Sequence, residues 1–216
     1  MNKKIIFISA LSIVIVLFIS GTWLYKSTES LKQQELATAN ISILNRIDAP
    51  TKGNPNAKVT IVEFLDPACG TCAKFHPFVA NLMAENPGKI RVIVRYAPFH
   101  QGSDYMVKIL EAARVQKKFW DVLEVMFATQ SQWASHSDPQ PNKIWNHLGK
   151  LKLDTNKLGR DLNATKINEI IRRDLRDAQT LNVTKTPEFF VNGRPMPSFG
   201  YQQLNDLVNE ELAKTN

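Results

Sequence analysis

Cysteine is scarce in this sequence: its 216 residues include two, Cys69 and Cys72, and no second pair. A structural zinc site needs about four Cys or His ligands at close spacing, and a disulfide-stapled small domain needs several cysteine pairs, so neither describes this chain well. The two cysteines that are present lie in the segment Cys69-Gly70-Thr71-Cys72, directly after an apolar run. This spacing is typical of a redox-active dithiol.

Long runs of one charge are also missing. The net charge is +7, but Lys and Arg alternate with acids, as over residues 172–177, and no aromatic residues are interleaved. That pattern is typical of a solvated surface and argues against nucleic acid as a partner. Because 44% of the residues are hydrophobic, the chain is not disordered and can form one domain of ordinary size with appendages.

The amino terminus lacks an evident small-x-small cleavage site. Residues 5–25 form an uncharged, mostly apolar stretch after Lys3 and Lys4, long enough to span a hydrocarbon core. We expect residues 1–25 to be an uncleaved signal-anchor that crosses the cell inner membrane once. The rest of the chain would then face the periplasm or another extracytoplasmic space. A cleaved signal peptide is the alternative.

Residues 26–55 are polar with few apolar positions, and they end in turn-forming residues. We interpret them as a linker or stalk, in part helical. Ile41, Leu44 and Ile47 follow one another at three-residue spacing, which suits one face of a short helix. That helix either packs on its own domain or mediates a homodimer, although no sustained heptad favours the second possibility.

Residues 56–216 predict an α/β domain. Two apolar segments indicate strands at Val59–Leu65 and Ile90–Tyr96, with a helix from Cys69 to about Glu85 between them. Periodic helical patterns then fill an insertion of about residues 103–176, and one of them runs from Met106 to Thr129. A hairpin around Asn192-Gly193 and a helix over 202–214 complete the chain.

Several motifs resemble the DsbA-like branch of the thioredoxin superfamily, the extracytoplasmic thiol:disulfide oxidoreductases. Pro77 lies where the active-site helix of that family is kinked, and Phe119-Trp120 resembles its Phe-Trp signature. Residues 183–193 resemble its cis-proline loop. The resemblance implies a thioredoxin fold with an inserted helical region and no cofactor. It also implies cysteine-containing exported proteins as clients, and a membrane or soluble redox partner that recycles the cysteine pair.

The predicted roles of the two cysteines differ. Cys69 falls at the first turn of the predicted helix, where unpaired N–H groups and the helix dipole stabilise a thiolate. We expect Cys69 to attack disulfides and Cys72, one turn later, to resolve the mixed disulfide. Two alternatives stay open: buried structural thiols, or a copper-handling metallochaperone that uses Cys69, Cys72 and His76, with His100 as a fourth ligand.

Two further positions are candidate site residues. Pro187 opens a predicted strand, and a cis Thr186–Pro187 bond would turn the Thr186 backbone toward the thiols to receive an extended substrate. Glu63 lies on an otherwise apolar strand, where a carboxylate is costly to bury unless it is paired or protonated. The resemblance implies that an acid at this place moves protons beneath the cysteines, and Arg95 on the neighbouring strand is its expected partner.

The features that bear on the direction of the redox reaction favour different answers. No His lies between the cysteines, and Thr186 before the proline resembles isomerase and reductase relatives. The helical insertion follows the layout of the oxidases. We therefore expect an oxidase that forms disulfides in exported proteins, with an isomerase or reductase as the alternative. A membrane-tethered interaction module is a third possibility.

Overall fold

The computed structural model describes residues 37–135 and 137–214, together with a few isolated positions between 15 and 35. The predicted signal-anchor at 1–25 lies largely outside the described residues. Within the part of the chain that the structure describes, no helix combines the length and the apolar character needed to cross a membrane.

A five-stranded mixed sheet forms the centre of the domain, with strand order β1-β3-β2-β4-β5. The parallel pair β2 and β3 is joined by a crossover helix, and the other neighbours are antiparallel. All seven residues of β2 are buried, which explains its continuous apolar run. The strands are Thr51–Gly53 (β1), Val59–Leu65 (β2), Ile90–Tyr96 (β3), Glu188–Val191 (β4) and Arg194–Pro195 (β5).

The helices confirm the predicted order of β-α-β, helical insertion and β-β-α. Their bounds are Gly70–Glu85 (α2), Ser103–Val115 (α3), Phe119–Ala128 (α4), Gln130–Trp133 (α5), Trp145–Leu148 (α6), Thr155–Asp161 (α7), Thr165–Thr180 (α8) and Tyr201–Ala213 (α9), and before them a helix ends at residue 44 and is described continuously over 37–44 (α1). Short 3-10 turns occur at Pro141–Ile144 and Gly149–Leu151. The insertion therefore runs from α3 to α8, between β3 and β4.

The single helix predicted over 106–129 is two helices. Lys117 has a φ of 60°, a left-handed conformation that an α-helix cannot continue through. The N–H of Lys118 then bonds back to the Ala113 carbonyl and closes the end of α3. Periodicity alone could not show this break, because the apolar positions on both sides face the same core.

The two faces of the sheet are covered by different helices. Ile61 and Phe189 pack with α2 and α9 on one face, whereas Phe64 and Phe190 pack with Leu44 of α1 and with α8 on the other. The insertion forms its own core, which extends to the carboxyl end of β2 at Leu65. The end of β2 is thus where the sheet, α2 and the insertion meet.

The segment predicted as a stalk is in part integrated into this domain. Leu44 is 1% exposed, and β1 pairs with β3, so the boundary predicted at residue 56 falls inside the folded unit. Ile41 and Ile47 are exposed, and α1 ends before Ile47. The three residues therefore do not share one buried face. Burial of Leu44 favours the prediction that this helix packs on its own domain.

A buried arginine fixes α1 to the sheet. Arg95 on β3 is fully buried and donates to the Ile43 carbonyl at 2.7 Å, at the end of α1. Its guanidinium also bonds Asp174 at 2.8 Å and Asp177 at 2.5 Å, both on α8. The end of α1, β3 and α8 are thereby joined around one charge.

Candidate active site

A turn at the end of β2 builds the site. The Asp66 carboxylate is fully buried and accepts bonds from the N–H groups of Ala68 at 2.9 Å, Phe99 at 2.7 Å and His100 at 2.9 Å. It also contacts His100 Nδ1 at 2.7 Å and the Ser103 hydroxyl. The part that Asp66 plays in holding this turn was not predicted, although an Asp-Pro pair directly after a strand is a known turn signal.

The turn brings Cys69 to the beginning of α2. The N–H of Cys69 bonds the Asp66 carbonyl at 3.0 Å, and Cys69 is the N-cap residue of the helix. Both thiols are free; Cys69 is 5% exposed and Cys72 is fully buried. The Cys69 Sγ lies 3.2 Å from the Thr186 carbonyl oxygen. The structure therefore brings together the cysteines and the residue before Pro187.

The pKa values of the two thiols are shifted in opposite directions. A hydrogen bond from the Cys72 thiol lowers the pKa of Cys69 to about 5, with further help from the Thr186 side chain and the backbone N–H groups of Thr71 and Cys72. Burial opposes this shift in part. Burial also raises the pKa of Cys72 well above its ordinary value, and its bond to Cys69 and the nearby Glu63 add to the rise. At neutral pH the pair thus holds one thiolate and one thiol.

Glu63 is buried on the α2 side of the sheet, and it is 2% exposed. Burial raises its pKa to about 8, and the Cys69 thiolate adds to the rise, so the carboxyl is protonated at neutral pH. No hydrogen-bond partner for its Oε1 is found among the described residues. The carboxyl borders a cavity of about 110 Å³, whose lining includes Lys52, His76 and Trp120.

The expected Glu63–Arg95 pair is wrong. In the parallel register Glu63 lies beside Val94, whereas Arg95 lies beside Phe64. Successive residues of a strand point to opposite faces, so the guanidinium and the carboxyl are separated by the sheet. The Arg95 guanidinium instead pairs with Asp174 and Asp177 of α8, and burial keeps the Glu63 carboxyl neutral.

The predicted cis bond between Thr186 and Pro187 is confirmed. Pro187 is buried directly before β4, and Thr186 is half-buried beside Cys69. Two exposed rings lie near this loop: Lys185 Nζ is 5.6 Å from the centre of the Phe199 ring, and Tyr201 stacks on Phe75 at 4.2 Å. The loop thus offers a backbone edge beside partly exposed aromatic surface.

The alternative metal set is not assembled. Across the described positions, no group of three Cys, His, Asp or Glu side chains lies close enough to hold a metal ion. His76 packs near Phe127, with ring centres 5.3 Å apart, and burial lowers its pKa. His100 is bonded to Asp66. Over the described residues, the structure therefore gives no support to a ligand set of Cys69, Cys72 and His76 for the copper-handling alternative.

A family model described as thioredoxin matches residues 46–210, about three quarters of the chain. The chain belongs to the thioredoxin family. In this thioredoxin-family protein the matched segment includes the cysteine pair, Glu63 and the cis-proline loop.

Solved structures give the same fold. A thioredoxin-like oxidoreductase from Silicibacter pomeroyi DSS-3 is 29% identical, with a TM-score of 0.68 over 82% of this chain and 98% of that one. BdbD from Bacillus subtilis is 22% identical, with a TM-score of 0.67 and coverage of 76% and 93%. The thiol-disulfide exchange protein alpha-DsbA2 from Wolbachia pipientis is also 22% identical, with a TM-score of 0.67 and coverage of 82% and 96%. The fold implied by the resemblance to DsbA-like proteins is confirmed by these structures.

Curated relatives match over a shorter share of their own length. The Na(+)/H(+) antiporter NhaA of Herminiimonas arsenicoxydans is 31% identical over 143 residues, which is 66% of this chain and 22% of that protein. NhaA 1 of Salinispora arenicola (strain CNS-205) is 28% identical over 168 residues, 76% of this chain and 25% of that protein. The chain thus spans about a quarter of the length of these relatives, or less.

Proposed function

We propose that this protein is a membrane-anchored extracytoplasmic oxidase that forms disulfides in exported proteins. The observation that carries the proposal is the unequal pair: an acidic Cys69 beside the Thr186 carbonyl, and a buried Cys72 that keeps its proton. The disulfide form of such a pair is readily transferred to a client, because the Cys69 sulfur that leaves is stable as a thiolate.

The reaction proceeds in two exchanges. A client thiolate attacks Cys69 Sγ of the Cys69–Cys72 disulfide, so that a mixed disulfide forms and the sulfur of Cys72 leaves. A second client thiolate then attacks the client sulfur of the mixed disulfide, and Cys69 leaves as a thiolate. The client gains a disulfide, and its two electrons reduce the pair. A redox partner must then remove two electrons to restore the disulfide.

Glu63 would supply a proton in the first exchange. The departing Cys72 sulfur lies in a buried place where a thiolate is disfavoured, and a neutral carboxyl nearby can protonate it. The cavity beside Glu63 would then provide a path for the carboxyl to regain its proton. In the reverse direction the same carboxylate would accept the proton of Cys72.

Thr186 and Pro187 would form the substrate-binding edge. The Thr186 carbonyl already lies beside the reactive sulfur, so a client backbone that runs along the loop would bring its cysteine to Cys69. The nearby Phe199 and Tyr201 would contact apolar client side chains.

The lowered pKa of Cys69 favours the oxidase direction. At pH 7 the thiolate would stabilise the reduced form by about 2 kcal/mol, after allowance for solvent at the rim of the site. That amount raises the potential of the pair by about 40 mV relative to an unperturbed dithiol. An isomerase or reductase of the same fold is the second candidate, because Thr186 precedes the proline as in such relatives.

Trapping of clients tests the roles of the two cysteines. The variant Cys72→Ser keeps a hydrogen-bond donor beside Cys69 but lacks the sulfur that can displace a client from Cys69, whereas Cys69→Ser removes the sulfur that joins the client. We expect Cys72→Ser to accumulate client adducts on non-reducing gels and Cys69→Ser to accumulate none. The reverse pattern would overturn the assignment. The reduction potential, measured against glutathione, separates the oxidase from the reductase.

A further inference from the structure

One side chain of the helical insertion reaches the active-site turn. Gln130, the first residue of α5, places its Nε2 2.8 Å from the Pro67 carbonyl oxygen and 3.1 Å from the Cys69 carbonyl oxygen. We propose that Gln130 is a positioning residue: its amide holds the Cys69 backbone and thereby keeps the reactive sulfur aligned with the groups that stabilise it. This inference rests on the proposed function, in which Cys69 is the sulfur that joins the client and then leaves as a thiolate.

The bonding pattern assigns the orientation of the amide. Both partners are carbonyl oxygens, which only accept, so the atom between them must be the NH₂ group, with one hydrogen for each. Gln130 is half-buried, so loss of its bond would leave the Pro67 carbonyl with limited access to replacement water, whereas the Cys69 carbonyl would keep its bond from the Ala73 N–H at 3.2 Å.

The base of this side chain is firmly held. Thr129 Oγ1 donates to the Val125 carbonyl at 2.7 Å, and Trp133 Nε1 donates to the Met126 carbonyl at 3.1 Å. Trp133 is only 2% exposed and anchors α5 in the core of the insertion. Gln130 therefore ties the active-site turn at residues 66–69 to the insertion.

The turn is held from two directions. Asp66 bonds the Ala68 N–H, and its backbone carbonyl bonds the Cys69 N–H. Gln130 bonds the carbonyl oxygens of Pro67 and Cys69. Asp66 belongs to the turn itself, so the bonds from Gln130 are a separate constraint that comes from the insertion.

The position of Cys69 matters because its thiolate depends on directed hydrogen bonds. The backbone N–H groups of Thr71 and Cys72 lower its pKa, and such bonds weaken steeply when their angle or length changes. Gly70 offers no side chain that could hold the turn instead. Outside its own helix, a Cβ added there would meet Gln130 Oε1, at 3.7 Å. The amide is thus the contact that reaches this peptide from the insertion.

Titration of the Cys69 thiolate tests the inference. Gln130→Met has a similar length but no donor, and Gln132→Met changes an exposed glutamine of the same helix whose Oε1 contacts His147 Nε2 at 3.0 Å. The pH dependence of thiolate absorbance is measured for both reduced variants and the wild type. Cys72 and Glu63, the titratable groups that face Cys69, are unchanged in all three. We expect Gln130→Met to raise the midpoint by about half a pH unit or more, a roughly threefold change, and Gln132→Met to leave it in place.

A second variant covers the case in which Gln130→Met folds poorly. Gln130→Asn keeps the amide but withdraws it by one methylene, and the same upward shift is expected. If both Gln130 variants titrate like the wild type, the positioning role is overturned. If the pKa of wild-type Cys69 is itself near the ordinary value of about 8.5, the acidic leaving sulfur of the proposed function is overturned instead.

Discussion

At the scale of single residues, burial and hydrogen bonds together decide which protons the site holds. Burial keeps Glu63 and Cys72 protonated at neutral pH, whereas Cys69 loses its proton because the Cys72 thiol and nearby groups donate to its sulfur. The carboxyl of Glu63 has an ordinary pKa of 4.5 and a pKa of about 8 in the fold. The folded protein therefore binds one more proton than the unfolded chain between these values, and it loses stability as the pH rises through them.

Glu63→Gln should abolish this pH dependence. The full shift corresponds to about 4 to 5 kcal/mol, so the free energy of unfolding of the wild type should fall between pH 5 and pH 8 by several kcal/mol more than that of the variant. Denaturant unfolding of the oxidised form measures this difference in the free energy of unfolding, because Cys69 does not titrate in the disulfide. The Cys69 thiolate then no longer adds to the pKa shift of Glu63, so the difference is somewhat smaller than in the reduced form.

Glu188→Gln is the matched control for this experiment. Burial also raises the pKa of Glu188, but Lys185 and a backbone bond oppose the rise. We expect this variant to retain most of the wild-type slope. Parallel curves for wild type and Glu63→Gln would show that Glu63 is ionised in the folded protein.

At the scale of elements, the ion cluster around Arg95 joins α1 to the rest of the domain. Asp177 also forms a salt bridge with Arg46 at 2.9 Å, and Asp48 forms one with Arg173 at 2.7 Å. The turn of the β4–β5 hairpin lies beneath α1 at Ala37: Gly193 has a φ of 84°, and a side chain there would collide with the Ala37 carbonyl. α1 thus contacts the domain at Ala37 as well as at its carboxyl end.

Arg95→Met should destabilise the protein strongly. It leaves Asp174 and Asp177 without their buried partner, a change that costs about 3 to 5 kcal/mol in such pairs. Arg46→Met removes a one-third exposed partner of the same Asp177 and should cost about 1 kcal/mol. Denaturant unfolding gives both values, and protease cleavage between α1 and β1 should rise chiefly in Arg95→Met. Equal losses in the two variants would contradict a special role for the buried charge.

The strands and helices around the site were largely predictable, because their patterns are local. The apolar run of β2, the helix after Cys69 and the Asn-Gly turn all appear where the sequence indicates them. The partner of Arg95 was not predictable, because it depends on which face of the sheet α8 covers. Gln130 was missed for a similar reason: an ordinary glutamine in a helical region gives no signal until the fold brings it to a turn 61 residues away.

At the scale of the whole molecule, the apolar segment at residues 5–25 should keep the protein attached to the membrane. We expect the protein to remain in the membrane fraction after alkaline washing and to begin at Met1 when membrane-extracted protein is sequenced. The apolar length of residues 5–25 is the physical reason. A mature start near Thr22 or Lys26 would show that the segment is removed, and export itself would still hold.

The short strand β1 also protects the sheet from self-association. Thr51–Gly53 covers the outer side of β3, and the Pro50 carbonyl bonds the Val94 N–H at 2.9 Å. The opposite edge is the two-residue strand β5, which contains a proline. A fragment that starts at residue 56 would therefore expose most of a seven-residue apolar strand with free backbone groups, a surface that recruits other strands. We therefore expect residues 50–53 to limit aggregation by covering this edge.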